Sequence, residues 1–209
     1  MIYDVFDNLL KNRTAGGVRL NKPIFISKYV SAIHALILAC IATLYLFGQI
    51  KDEMWILLQV IPVGYCIYDT LLMFGKSELY IRMSKLMVLH HILFICVAVY
   101  VAPYYPREIA IAYLAEWSNV FLHTVYIMVV TSYHERAEKI YDLLRWATFV
   151  SFFVLRVCNF SYLTLLALSH GFWYTPFFVI GAIFTGMNIY WFVKIIKFAR
   201  NIENPKCKN

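Results

Sequence analysis

Apolar residues in this chain come in long unbroken runs, not in alternation. Runs of roughly 17 to 25 residues, each long enough to cross a bilayer core of ~30 Å as a helix, occupy residues 29–47, 54–74, 86–102, 109–131, 146–169 and 173–193. Short polar breaks separate them. Residues 48–53 and 103–108 are tight turns, the second holding Pro103 and Pro106, and His170-Gly171 is the shortest. Residues 75–85 form a charged connector. Residues 132–145 are polar, with Tyr141, Leu143, Leu144 and Trp146 as an apolar edge, which predicts an amphipathic helix on the membrane surface. Pro62 and Gly64 are expected to kink the second span or loosen its packing. The fold predicted is an all-α membrane protein with six transmembrane helices around a central polar or lipid tunnel.

Composition agrees. The 209 residues are 62% hydrophobic and 15% charged, which leaves little room for a separate soluble domain. The division expected is a basic N-terminal segment (1–28, broken at Gly16-Gly17), a six-helix domain (29–199) and a basic tail (200–209). The polar opening residues lack the short apolar region of a secretory signal, so the first span is expected to serve as an uncleaved signal.

The net charge of +7 is distributed as topology, and nucleic acid is not an expected partner. With six spans, sixteen Lys and Arg fall on the side of the termini, Lys51 and Arg107 on the other, and Arg156 inside the fifth span. Both termini are therefore expected in the cytosol. The sequon Asn12-Arg13-Thr14 should then carry no glycan. Cys40, Cys66, Cys96 and Cys158 lie within apolar runs and Cys207 in the tail, without metal-ligand spacing. They read as small core residues. The terminal Lys206-Cys207-Lys208-Asn209 is neither a clean dilysine signal nor a prenylation box.

Polar residues inside the runs carry the candidate chemistry, because intramembrane ionisable groups are costly. His34 and Asp69 each fall about 8 Å from the cytosolic end of their helices, at ~1.5 Å per residue. The adjacent His90 and His91, then His123 and Asn188, fall at similar depth, which predicts a polar, hydrated cavity opening to the cytosol. Glu116, Asn119, His123 and Tyr126 recur on one helical face. Arg156 shares a face with Asn159, and Asn188 with Trp191. Two acids, Asp69 and Glu116, face one buried Arg156, so one carboxyl is expected to be neutral or held by Tyr65, Tyr68 or a histidine. Tyr65, four residues before Asp69, is placed to donate to it. For His34, Asn119 and Asn159 the plainer reading is interhelical hydrogen bonding, and for Arg156 it is pairing with Glu116. Consecutive helical residues diverge by about 100°, so one of His90 and His91 should face the cavity and the other a neighbouring helix.

Across residues 22–200 the chain resembles the TLC-domain family, the membrane domain shared by ceramide synthases and the translocon-associated membrane protein. The resemblance rests on Ser31-Ala32-Ile33-His34-Ala35, Tyr65 to Asp69, His90-His91, Glu116-Trp117-Ser118-Asn119, Phe153 to Arg156 and Asn188-Ile189-Tyr190-Trp191-Phe192, in that order. It implies six core helices around a central tunnel and an endomembrane location such as the endoplasmic reticulum. In ceramide synthases a threonine follows the paired histidines and an aspartate pair lies in the next helix. Here Phe94 stands in the threonine's place and no Asp-x-x-Asp follows, and the short Glu116-x-Ser118-Asn119 pattern instead resembles the small TLC-domain proteins outside the ceramide synthases.

Three functions compete. The favoured one is lipid binding, or regulation of membrane lipid composition, with a pocket of His34, Tyr65, Glu116, Asn119, His123, Arg156, Asn188 and Trp191 receiving a head group. The second is an N-acyl transfer from acyl-CoA as co-substrate, with His90 or His91 as base or nucleophile and Asp69 or His123 orienting it. The basic N-terminal segment would favour the CoA phosphates. The third is a haem or metal held by His34, His90, His91 and His123. No other cofactor is expected, and membrane lipids are the expected partners.

Overall fold

The computed structural model describes residues 22–75, 85–131, 133–169, 171 and 176–203, with side-chain detail for those outside 22–24, 73, 75, 130, 176 and 197–203. Helix α1 is Lys22–Leu46, α2 Asp52–Leu58, α3 Val60–Gly75 and α4 Lys85–Cys96, the last continued by a π-helical turn, Val97–Val101. Then follow α5 (Pro106–Tyr113), α6 (Glu116–Val130), a 3₁₀ turn (Tyr133–Glu135) and α7 (Glu138–Phe152). A second π-helical stretch, Phe153–Cys158, joins α7 to α8 (Asn159–Ser169), and α9 is Pro176–Glu203. No strand occurs among the described residues.

These pieces make six rods arranged as a ring. α1 packs against α6, α6 against α7, α8 against α9, α9 against α4, α4 against α3, and α3 back against α1. Ala35, Ala39 and Ala42 of α1 are almost wholly buried, and such small side chains let apolar helices approach closely. Outward positions are strongly apolar: Phe47, Val60, Leu71, Tyr100, Leu143 and Leu165 are all exposed. A ring that is greasy outside and polar inside suits hydrocarbon, not water. Four helices, Phe25–Leu46, Asp52–Leu72, Glu138–Ser169 and Phe177–Ile196, are long and apolar enough to cross a membrane, and Lys85–Val101 is a shorter apolar helix.

Several elements depart from the expected ones. α1 takes in residues 22–28, assigned to the N-terminal segment, because Pro23 sits in the first helical turn, where its missing N–H costs nothing. The break in the second rod lies at Gln59, not at Pro62 or Gly64. Proline acts upstream, since its ring clashes with the carbonyl of the preceding turn. Residues 138–169 form one helix of 32 residues, so the surface helix and the fifth span are collinear. No glycine or proline separates them, and at ~1.5 Å per residue the rod is about 48 Å long, more than the hydrocarbon needs.

The fourth rod, expected as one helix over 109–131, breaks at Leu114 and Ala115. There Ala115, Trp117 and Ser118 bond three residues back. The carbonyl of Ile111 is capped from the next rod by Asn159 Nδ2 at 2.7 Å. Gly16-Gly17, the sequon at Asn12, residues 76–84, His170 and the tail from 204 lie outside the described residues.

Candidate functional site

The ring encloses a cavity of about 290 Å³ to which all six rods contribute. α1 supplies Lys28, Ser31 and His34, and α3 supplies Tyr65, Cys66 and Asp69. α4 gives Met87, His90, His91 and Phe94, while α6 gives Glu116, Asn119, Leu122 and His123. Phe152 and Arg156 come from the fifth rod, and Trp191, Lys194 and Ile195 from α9. The spacing of three and four residues within each helix is what one inward face provides.

Both histidines of the adjacent pair line the cavity, against different walls. His91 is only 2% exposed. Its Nδ1 lies 3.0 Å from Thr70 Oγ1, and its Nε2 lies 3.6 Å from Asp69 Oδ2, an ion-pair separation. Asp69 itself accepts a hydrogen bond from Ser27. His90 turns instead toward α9, edge-on to Phe184 at 5.3 Å and Trp191 at 5.4 Å between ring centroids. Its Nδ1 is buried and meets no hydrogen-bond partner among the described residues.

His34 stacks flat on Tyr65, 3.8 Å between centroids and 9° between planes. The Tyr65 hydroxyl donates to Ser31 Oγ at 2.8 Å, and Ser31 donates in turn to the Ser27 carbonyl. The expected bond from Tyr65 to Asp69 is therefore not made, because the ring crosses to α1 to stack on His34. The Nε2 of His34, a residue 9% exposed, has no partner among the described residues.

Arg156 joins three rods. Its Nε donates to Ser118 Oγ at 2.7 Å, Nη1 to Asn188 Oδ1 at 3.2 Å and Nη2 to Glu116 Oε1 at 3.5 Å. The guanidinium carbon lies 5.2 Å from the centre of the Phe152 ring. The other Glu116 oxygen accepts from Asn119 Nδ2 at 2.8 Å. Arg156 stands in the π-helical stretch, whose wider turn changes the direction in which its residues point. The two acids do not share Arg156. Glu116 takes it, while Asp69 lies with His91 and Ser27.

Of the expected pocket residues, His34, Tyr65, Glu116, Asn119, His123, Arg156 and Trp191 line the cavity, as do His90, His91 and Asp69. Asn188 does not. It is 1% exposed and stands behind the wall as a partner of Arg156, because its carbonyl oxygen is drawn to the guanidinium. Sequence reasoning missed Lys28 and Lys194, which line the cavity near the ends of α1 and α9, because both fell at the edges of apolar runs. It also missed Thr70, which directly follows Asp69, and named Ser118 only as part of the family motif, two residues after Glu116. Three cations, Lys28, Arg156 and Lys194, and two carboxylates line the space. Among the described residues no group of three or more His, Cys, Asp or Glu is close enough to hold a metal ion.

The family model for the TLC domain matches residues 24–197. No curated protein and no solved structure matches the chain. The matched stretch reaches into all six rods and takes in every residue lining the cavity, and with it the chain belongs to the TLC-domain family of membrane proteins.

Proposed function

We propose that this is a six-span membrane protein, both termini cytosolic, that binds a lipid with its head group in the polar cavity and so acts on membrane lipid composition. The charge asymmetry of the loops supports the topology. The family supports an endomembrane location such as the endoplasmic reticulum. The observation that carries the reading is the pair of imidazole nitrogens without a partner among the described residues, His34 Nε2 and His90 Nδ1, on residues lining one cavity. Buried polar atoms are seldom left unsatisfied, and a polar head group supplies the missing partners. The surplus of one cation over the carboxylates favours an anionic head. Purified protein should co-purify with lipid at stoichiometric yield by native mass spectrometry, and His34→Ala should retain about tenfold less, the effect of ~1.4 kcal/mol. Equal retention by the variant, or none by wild type, would remove the reading.

The second reading, acyl transfer from acyl-CoA, is favoured by one observation: a carboxylate beside a cavity histidine, His91 with Asp69 at 3.6 Å. The roles are divided, however. Both nitrogens of His91 face partners, whereas His90, with Nδ1 free of partners among the described residues, has no carboxylate beside it. Denaturing gels after incubation with labelled long-chain acyl-CoA discriminate. A covalent label absent from His90→Ala and transferable to an amine would establish transfer, and an unlabelled protein that still holds lipid would leave the binding reading alone.

A further inference from the structure

A second, smaller chamber lies beyond the polar cavity. It holds about 40 Å³ and is lined wholly by apolar and aromatic side chains and one glycine, among them Val97, Val101, Ile109, Leu163 and Phe184. Position along the helices places it deeper than the polar cavity. On α9 its innermost lining residue, Phe184, is seven residues from Trp191 of the polar cavity, about 10 Å at ~1.5 Å per residue. Phe94 lines both spaces, and no other residue does.

The ring of Phe94 is held differently from that of its neighbour. Phe94 stacks on Tyr113 at 5.0 Å and 10°. Tyr113 is anchored: its hydroxyl donates to Gln59 Oε1 at 2.8 Å, and it is only 2% exposed. Phe94 carries no polar tether: its ring meets Tyr113 and, at 5.9 Å, His90, within the buried apolar core. It also stands three residues before the π-helical turn at Val97.

We propose that Phe94 is the partition that sets the length of acyl chain the protein accepts: the head of a single-chain anionic amphiphile occupies the polar cavity, and its chain ends at the Phe94 ring unless that ring gives way to the apolar chamber. The inference rests on the lipid-binding reading and deepens it. The chain class follows from the lining. A chamber without a polar side chain other than the tethered Tyr113 offers a hydrocarbon tail nothing but apolar contact.

The test uses the purified full chain and a homologous series of saturated fatty acids competing against a photoreactive fatty acid. For wild type, affinity should rise with chain length and then level off. For Phe94→Ala the plateau should move to longer chains, with Kd tightening about fourfold for each added methylene that enters the opened chamber. Adding Ala112→Leu, which refills that chamber from its far wall, should return the plateau to shorter chains. Phe94→Leu, a milder change, should give an intermediate plateau and serves if the alanine variant does not fold. An unmoved plateau in Phe94→Ala and Phe94→Leu would overturn the partition while leaving lipid binding intact. A wild type that binds no member of the series would overturn both.

Discussion

Replacing Arg156 by Met should destabilise this protein by about 3–5 kcal/mol. The side chain is 4% exposed and hydrogen-bonds to three residues from two other rods: Ser118 at 2.7 Å, Asn188 at 3.2 Å and Glu116 at 3.5 Å. Methionine fills much of the same space and packs on Phe152, so little of the loss is a cavity. What remains is Glu116, 7% exposed and stripped of its counter-charge. Removing one partner of a buried pair costs about 3–5 kcal/mol, because the survivor stays desolvated. Neutralising that survivor should restore most of it, so Arg156→Met with Glu116→Gln is expected to recover at least about 2 kcal/mol. The assay is reversible unfolding by SDS in mixed micelles, followed by tryptophan fluorescence. A loss below about 1 kcal/mol for Arg156→Met, or no recovery in the double variant, would refute the claim that charge pairing holds this junction.

Three further outcomes are expected. Asn159→Leu should cost about 0.5–1.5 kcal/mol in the same titration, since it removes the side-chain bond to the Ile111 carbonyl at the break between α5 and α6 and leaves the Leu114 N–H as that carbonyl's partner. Tyr113→Phe should cost about 1–2 kcal/mol by leaving Gln59 Oε1 unpaired in a buried site, and pairing it with Gln59→Leu should recover part of that loss. Among single cysteines in a background lacking all five native cysteines, Ile140→Cys should react with a membrane-impermeant maleimide in opened vesicles and Leu165→Cys should not. Both native side chains are exposed at the protein surface, so water access rather than burial in protein decides the result; equal labelling would contradict a rod that projects from the bilayer at its Glu138 end.

The rods were legible in the sequence because each is a run of apolar residues, and run length is a property of the chain alone. The cavity wall was largely legible for a related reason. A polar residue in such a run has few stable places to point, so His34, His90, His91, Glu116, His123 and Arg156 share one interior. The break at Leu114 and Ala115 was not legible, since no glycine or proline marks it. At that break Asn159, from a rod some forty residues later, adds a bond to the Ile111 carbonyl, and Arg156 donates to the Ser118 hydroxyl beside it. Which acid takes Arg156, and that Asn188 sits behind the wall, likewise depend on how helices rotate against one another. Phe94 was visible only as a departure from the synthase pattern, and its place between two chambers required the assembled ring.

The same break bears on how the chain enters its membrane. The stretch from Pro106 to Val130 carries Glu116, Asn119 and His123, and it interrupts its own ladder of backbone bonds at Leu114. An acidic residue near the centre of a lone helix opposes insertion by the translocon by about 2.5–3.5 kcal/mol, before the Ile111 carbonyl, bonded within its own rod to the Leu114 N–H at 3.2 Å, is counted. Both debts are cancelled by residues that follow it out of the ribosome, Arg156 for the acid and Asn159 for the carbonyl. Under the six-span topology proposed above, the fourth and fifth rods would leave the translocon as a pair, and a ribosome stalled between them would strand a segment unsuited to lipid.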